Sequence, residues 1–532
     1  MQQRVQQREQ RGGYGRWAVG VLALAALAAA LAVDGGYVYD DAHAVLQSPM
    51  VQGRVGWLEG VTERDFWGLP LGGAAKVSWR PMLPAIWRVL WAAGDGAPLP
   101  LRAFGIVLHV LACYAALRWV RQLLPAGLAA AAVALFALHP THGEAVGGLV
   151  GHADIAASAA VFAALATLHA RPDGRGAVAA VAWVGLGALC KESALLGLAL
   201  LPIAAFGLGV GAAVWRALAL ASLPVGAAVL AMVARAHGGA DEGALDNVVG
   251  QLHGADRAAT ALAIAGKQTL QLLLPVGVAP DHSYAVYTRD TGPLLPWTVA
   301  GALALALAAF AGWRALAARK LALALPIALA AGPIVAGCNL LFVGPTEHAE
   351  RALYPATLGA CVLVVSGWQR WRGGASDATR VGRVVLALAL GLAVAGSVRT
   401  TTPWRSQRAL FEAAVDVEPR SWRIRHNLGD ALAKAGEVEA GLWHVLLATH
   451  LKRLAPEPVD WRVVRALELA EPRERLLLAP AALAGKDACG LVDAFVRAAY
   501  ADSPDRTAAS RTRAIFASRY TCPGVDPSAA PR

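Results

Sequence analysis

The stretch LLPWTVAGALALALAAFAG, residues 294–312, carries no charged side chain in 19 positions. At about 1.5 Å per helical residue it reaches about 28 Å, close to the hydrocarbon thickness of a bilayer. Residues 17–33 are likewise uncharged, and 101–120 are nearly so. Over all 532 residues, 57% are hydrophobic and 16% charged, and mean hydropathy is +0.47. Soluble domains average about 45–50% apolar and about 25% charged. A single soluble domain, a disordered chain and a disulfide-stapled secreted module are excluded. The fold class is all-α and polytopic, with the lipid bilayer as solvent.

Counting outward from these runs gives about eleven crossings at ~20 residues each. They fall near 16–33, 101–120, 126–139, 148–169, 177–191, 193–210, 217–235, 294–313, 321–343, 352–369 and 384–398. Residues 258–274 are also helical in pattern, either re-entrant or lying at the interface. The net charge of +11 reports topology and not nucleic-acid binding, because the basic residues sit in alternate loops. Arg118/Arg121, Arg171/Arg175, Arg216, Arg314/Arg319/Lys320 and Arg370/Arg383 mark the cytoplasmic side. Asp34, Asp40, Asp41, Glu144, Asp154, Glu192, Asp241, Asp281, Glu347 and Glu350 mark the other.

The N-terminus is therefore expected in the cytoplasm and the C-terminal region outside. Residues 1–16 read as a cytoplasmic tail and 17–398 as the membrane domain, with a first extracytoplasmic loop at 34–100. Residues 400–455 read as a tetratricopeptide-like helical region, on the spacing in RHNLGDALAKAGEVEAGLWHVLLA (425–448). That region is either a docking module for an acceptor or a small helical cap. Residues 456–532 read as a helical extension. The high alanine content and short basic loops point to a bacterial inner membrane, whose outer side would let Cys489 and Cys522 pair.

Charges at a membrane edge need a reason. Asp40-Asp41, flanked by Tyr37, Tyr39 and His43, suit a general base beside a substrate, or a solvated helix end. In Ser78-Trp79-Arg80-Pro81 the guanidinium can present its fork to a phosphate, or lie on headgroups. HPTHGEAV (139–146) and Gly151-His152-Ala153-Asp154 gather His139, His142, Glu144, His152 and Asp154. Such a group can take a divalent metal, sugar hydroxyls or a phosphate, or form a structural hydrogen-bonding cluster. No cofactor is certain, and the metal is unknown. Lys191-Glu192 and Glu350-Arg351 with Tyr354 stand at two more helix boundaries, as ion pairs that fix helix ends or as parts of one site. All five groups map to one face, which argues for a single active site there.

These motifs in this order resemble membrane glycosyltransferases of the GT-C fold. They are similar in particular to the O-mannosyltransferase family, in which transmembrane helices precede tetratricopeptide repeats, and to its bacterial relatives. The resemblance rests on Asp40-Asp41, WRP at 79–81, HPTHGEAV, GHAD at 151–154, KES at 191–193, ERALY at 350–354 and the tail, over roughly 37–448. HPTHGEAV is the most specific element. His152 departs from the family's usual Arg, and the tail has far fewer repeats.

The resemblance implies inverting transfer of a sugar, mannose above others, from a polyprenyl-phosphate-linked donor to a protein hydroxyl. Asp40 would be the catalytic base, and Asp41 would orient the acceptor or a metal. Arg80, Lys191 and Arg351 would hold the donor phosphate, while His139, His142, His152, Glu144, Asp154, Glu192, Glu350 and Tyr354 would shape the pocket. Alternatives are a related enzyme with a lipid or cell-wall glycan acceptor, a transporter, or an inactive scaffold. A transporter predicts charges at the bilayer midplane and a two-half repeat. The sequence shows neither.

Overall fold

The computed structural model describes residues 2–71, 78–236, 247–282, 294–344, 346–371 and 378–451. Among these residues the chain is helical, with no strand and two isolated β-bridges. Each of the eleven apolar stretches expected to cross the bilayer coincides with a helix. Five helices are long and apolar enough to cross: Leu99–Val120, Leu149–Ala170, Leu294–Ala317, Glu350–Arg370 and Val381–Arg405. The other six expected spans contain apolar helical stretches of only 10–17 residues. Ala126–Ala137, with 12 residues, reaches only about 18 Å at 1.5 Å per residue, well short of a hydrocarbon core about 30 Å thick. Two further helices fill in the pattern. The first helix begins at Gln2 and runs unbroken to Ala30 through the expected tail. Residues 254–273, whose placement the pattern left open, form a regular helix, Gly254–Leu273.

The helices are layered around Leu149–Ala170, of which 83% is buried, while Leu294–Ala317 and Val381–Arg405 are 6% buried and form the rim. Between membrane helices the apolar surface gains little by leaving lipid, so close contact of small residues holds the bundle. Gly301 shows this: a Cβ there would lie 1.9 Å from the Leu262 carbonyl oxygen, so only glycine lets Leu294–Ala317 lie against Gly254–Leu273. Cys113, Cys190, Cys338 and Cys361 are buried free thiols. Cys489, Cys522 and the extension beyond 451 lie outside the described residues.

Among the described residues the C-terminal region holds three α-helices. Gln407–Val417 is capped by Ser406, which accepts from the Ala409 amide (3.2 Å), and Trp422–Lys434 by Ser421, which accepts from the Ile424 amide (3.3 Å). Gly436, at φ +87°, turns the chain into Val438–Leu451. Leu428, Leu432, Ala440 and Ala448 are all buried. Trp404, Leu410 and Phe411 form a common cluster with Ala32 and Val38. The C-terminal helices are thereby seated on the end of the first helix and the loop after it.

Candidate active site

The loop after the first helix separates two neighbouring acids. Tyr39 adopts a left-handed conformation, φ 57°, which is costly for a non-glycine residue. Its amide donates to Gln407 Oε1 at 2.7 Å, so the C-terminal region holds the turn. Beyond it, Asp41 turns inward and is 1% exposed. It accepts from the amides of Val38 (3.2 Å) and Leu149 (2.8 Å). Burial pushes the Asp41 carboxyl up to about 7, against the opposing pull of Arg102. Asp40 turns the other way, with a side chain 26% exposed.

Four further segments bring their charges to the same region. Arg351 Nη1 lies 2.5 Å from Glu144 Oε1 and 3.6 Å from Asp40 Oδ2. Its backbone amide donates to the other Glu144 oxygen at 2.9 Å. Lys191 Nζ donates to both oxygens of Asp154, at 2.7 and 2.8 Å. Arg80 makes a two-pronged contact with Glu192, at 2.6 and 3.0 Å, and covers the Phe66 ring. The result is an alternating belt of three cations and their carboxylates, built from residues up to 311 positions apart (Asp40 to Arg351).

The histidines of HPTHGEAV lie elsewhere. His139 Nδ1 meets Thr141 Oγ1 at 2.8 Å and its Nε2 meets the Leu272 carbonyl at 3.3 Å. His139 is thus a buried, internally bonded ring. His142 Nε2 pairs with Thr357 Oγ1 (2.8 Å) and its ring centroid lies 4.3 Å from that of Tyr354. The Tyr354 hydroxyl in turn bonds His109 Nδ1 at 2.7 Å. His152 accepts from Trp87 Nε1 at 3.3 Å and stacks edgewise on Phe104. These rings form structural clusters, while Glu144 and Asp154 belong to the belt. Glu350 belongs to a third group, described below. Among the described residues, the group whose donor atoms converge for a metal is His282, His348 and Glu350, not the HPTHGEAV set.

Asp40 opens on a cavity of about 860 Å³. One wall is the first loop (Tyr39, Asp40, His43, Gln47) and the other the C-terminal helices (Gln407, Trp422, Asn427, Lys434). Of the belt's cations, Arg351 approaches this cavity through Asp40, 3.6 Å away.

Arg102 is an organising residue that the sequence reading does not single out. It is 5% exposed and lies 3.8 Å from Asp41. Its guanidinium donates to the carbonyls of Ala32 (3.0 Å), Gly36 (3.1 Å), Gly147 (2.8 Å) and Trp404 (3.3 Å). One side chain thus ties the first helix, the first loop, the HPTHGEAV segment and the C-terminal region together. Its signal in sequence is an arginine just inside an apolar run, where a charge is expensive. Gly147 completes the junction: a Cβ there would lie 2.4 Å from Trp404.

Fold and site together define a multi-pass helical membrane protein with a charged chamber built from the segments that join its helices. The chain is 26% identical over 463 residues to the protein O-mannosyl-transferase TMTC3 of Mus musculus, covering 78% of this chain and 49% of that protein. It is 27% identical over 489 residues to the protein O-mannosyl-transferase TMTC4 of Mus musculus, covering 77% and 63%. Over 173 residues it is 36% identical to the protein O-mannosyl-transferase Tmtc1 of Drosophila melanogaster, covering 32% and 20%. The chain spans about half the length of the mouse TMTC3 relative. No family model and no solved structure matches it.

Proposed function

We propose that the protein is an inverting GT-C-type glycosyltransferase that moves mannose from a polyprenyl-phosphate donor to a Ser or Thr hydroxyl of a protein. The observation that carries this reading is the placement of Asp40, half-open on the chamber and 3.6 Å from Arg351. Asp40 takes the proton of the acceptor hydroxyl as its oxygen attacks the anomeric carbon, and the bond from that carbon to the phosphate oxygen breaks. The departing phosphate carries negative charge and needs cations more than a proton. Arg351, Lys191 and Arg80 lie together behind the base for that purpose. Asp41, bound to two amides beside Arg102, acts as a support for the loop and not as a ligand of acceptor or metal. The names of the relatives favour mannose and a protein acceptor.

The reading extends to topology. The first loop and the C-terminal helices share one chamber, which requires an even number of crossings between them. Eleven spans with a cytoplasmic N-terminus meet this requirement and put the chamber on the extracytoplasmic side, the inner-membrane periplasm in a bacterium. The capped helix pair 422–451 is then a tetratricopeptide-like acceptor wall, and the polyprenyl tail stays in the hydrocarbon while its headgroup reaches the belt.

The experiment is transfer of radiolabelled mannose from polyprenyl-phosphate-mannose by the purified protein, with periplasmic proteins, membrane lipids and wall glycan supplied as acceptors. Wild type should label protein, and Asp40→Asn should lose about 10²–10⁴-fold. Equal transfer by both would remove Asp40 as the base. Label in lipid or glycan alone would reassign the acceptor.

A further inference from the structure

His282 ends the described part of the loop after the Gly254–Leu273 helix, and His348 and Glu350 lead into the Tyr354–Trp371 helix. The backbones of His282 and His348 pair in an isolated antiparallel bridge. That pairing sets their rings 4.9 Å apart, inclined by 32°. His282 Nε2 lies 2.5 Å from Glu350 Oε1, and His348 Nε2 lies 4.0 Å from the same oxygen. One ligand atom from each of the three lies within 4.8 Å of the others. Gln271 Oε1, 2.7 Å from His348 Nε2, faces the same point. All three ligand-type side chains are buried.

Two buried oxygens around this point have no hydrogen-bond partner among the described residues: Glu350 Oε2 and Gln268 Oε1. A buried carboxylate oxygen left unpaired keeps its full desolvation penalty, so it calls for a partner.

We propose that His282, His348 and Glu350 form a zinc-class divalent metal site, with Gln271 Oε1 or a water as the fourth ligand. Two imidazoles and one carboxylate are the donor set that zinc accepts, at about 2.0–2.2 Å in tetrahedral geometry. The surroundings match what metal-bound histidines require, a partner on the far ring nitrogen. His282 Nδ1 lies 2.9 Å from a Glu418 carboxylate oxygen, which aims the Nε2 lone pair inward. His348 Nδ1 lies 2.9 Å from the Gln268 amide nitrogen, and half a turn of that amide puts its orphaned oxygen on the Nδ1–H. The ion replaces the proton shared by His282 Nε2 and Glu350, and that proton leaves to solvent. The site is structural: it joins the 274–282 loop to the residue next to Arg351 and, through Glu418, to the C-terminal helices. It does not depend on the transfer chemistry.

The full chain, purified in detergent and stripped with a chelator, is reloaded with Zn²⁺ or Co²⁺, desalted and counted by mass spectrometry of the metal. About one ion per chain is expected, with the visible d–d bands of tetrahedral Co²⁺ and a rise in melting temperature on reloading. His348→Asn and Glu350→Gln should each lower the bound metal at least about ten-fold, while His253→Asn, an exposed histidine, keeps it. The cobalt spectrum of the wild type stands even if a variant fails to fold. Reloaded wild type without stoichiometric metal or tetrahedral bands overturns the proposal, as does metal retained in full by both ligand variants.

Discussion

Asp41 and Arg102 face each other across 3.8 Å at almost complete burial, although Asp41 sits next in sequence to an acid that opens on the chamber. Their pairing makes the first loop a fixed wall. Removing Asp41 leaves the Arg102 guanidinium buried without its carboxylate, which costs about 3–5 kcal/mol, and removing Arg102 releases the four carbonyls it joins. Asp41→Ala and Arg102→Met should each lower the melting temperature strongly, and the double variant should lose much less than the sum. Additive losses would show that the two do not act as a pair.

The same carboxyl predicts a pH dependence. Burial raises it from the usual 3.8 to about 7. Between those values the folded protein keeps a proton that the unfolded chain has released, so the folded state binds more protons. Stability from this group is complete at low pH and is lost as pH rises through about 7. Melting curves from about pH 4 to pH 8 should show that decline in wild type and a flatter profile in Asp41→Asn, which titrates nothing there. A parallel pair of profiles would assign the decline to other groups.

Arg351 holds Glu144 by its side chain and its backbone amide while remaining within 3.6 Å of Asp40. Lysine keeps the charge but lacks the planar fork. Arg351→Lys should lower kcat about 10²–10³-fold in mannose transfer with the fold intact, the scale of a lost transition-state donor. A variant that transfers at wild-type rate would remove Arg351 from the phosphate site.

The seat of the C-terminal helices can be tested at Gly147, where a Cβ would lie 2.4 Å from Trp404. Gly147→Val should push Trp404 out at a cost of about 1–3 kcal/mol. Limited proteolysis should then cut within residues 402–407 faster than in wild type. An unchanged cleavage pattern would mean that Trp404 is not what holds the region.

The far wall of the chamber offers a separation of substrates. Asn427 lines it opposite Asp40. Asn427→Trp should raise the KM for a protein acceptor about ten-fold or more, about 1.4 kcal/mol, and leave hydrolysis of the donor by water unchanged. Loss of both would indicate a folding defect and not an acceptor contact.

The helical architecture was legible because it is local. Uncharged runs of bilayer length and a spacing of about 3.6 residues are properties of neighbours along the chain, and every expected apolar span is a helix. The belt was legible in its membership, since Asp40, Arg80, Glu144, Asp154, Lys191, Glu192 and Arg351 stand out as charges beside apolar runs. Lys191 and Glu192 show the limit. Adjacent in sequence, they suggest a pair with each other, yet Lys191 bonds Asp154 and Glu192 bonds Arg80. Arg102 and His282 were not legible: one reads as a stray cation in an apolar run, the other as a residue of a polar loop. What the amino-acid order determined alone was the membrane class, the helices and the charged residues that must find partners. Only the tertiary structure decided which partner each one takes, because a buried charge is satisfied by whatever donor or acceptor the packed helices bring within about 3 Å, regardless of sequence distance.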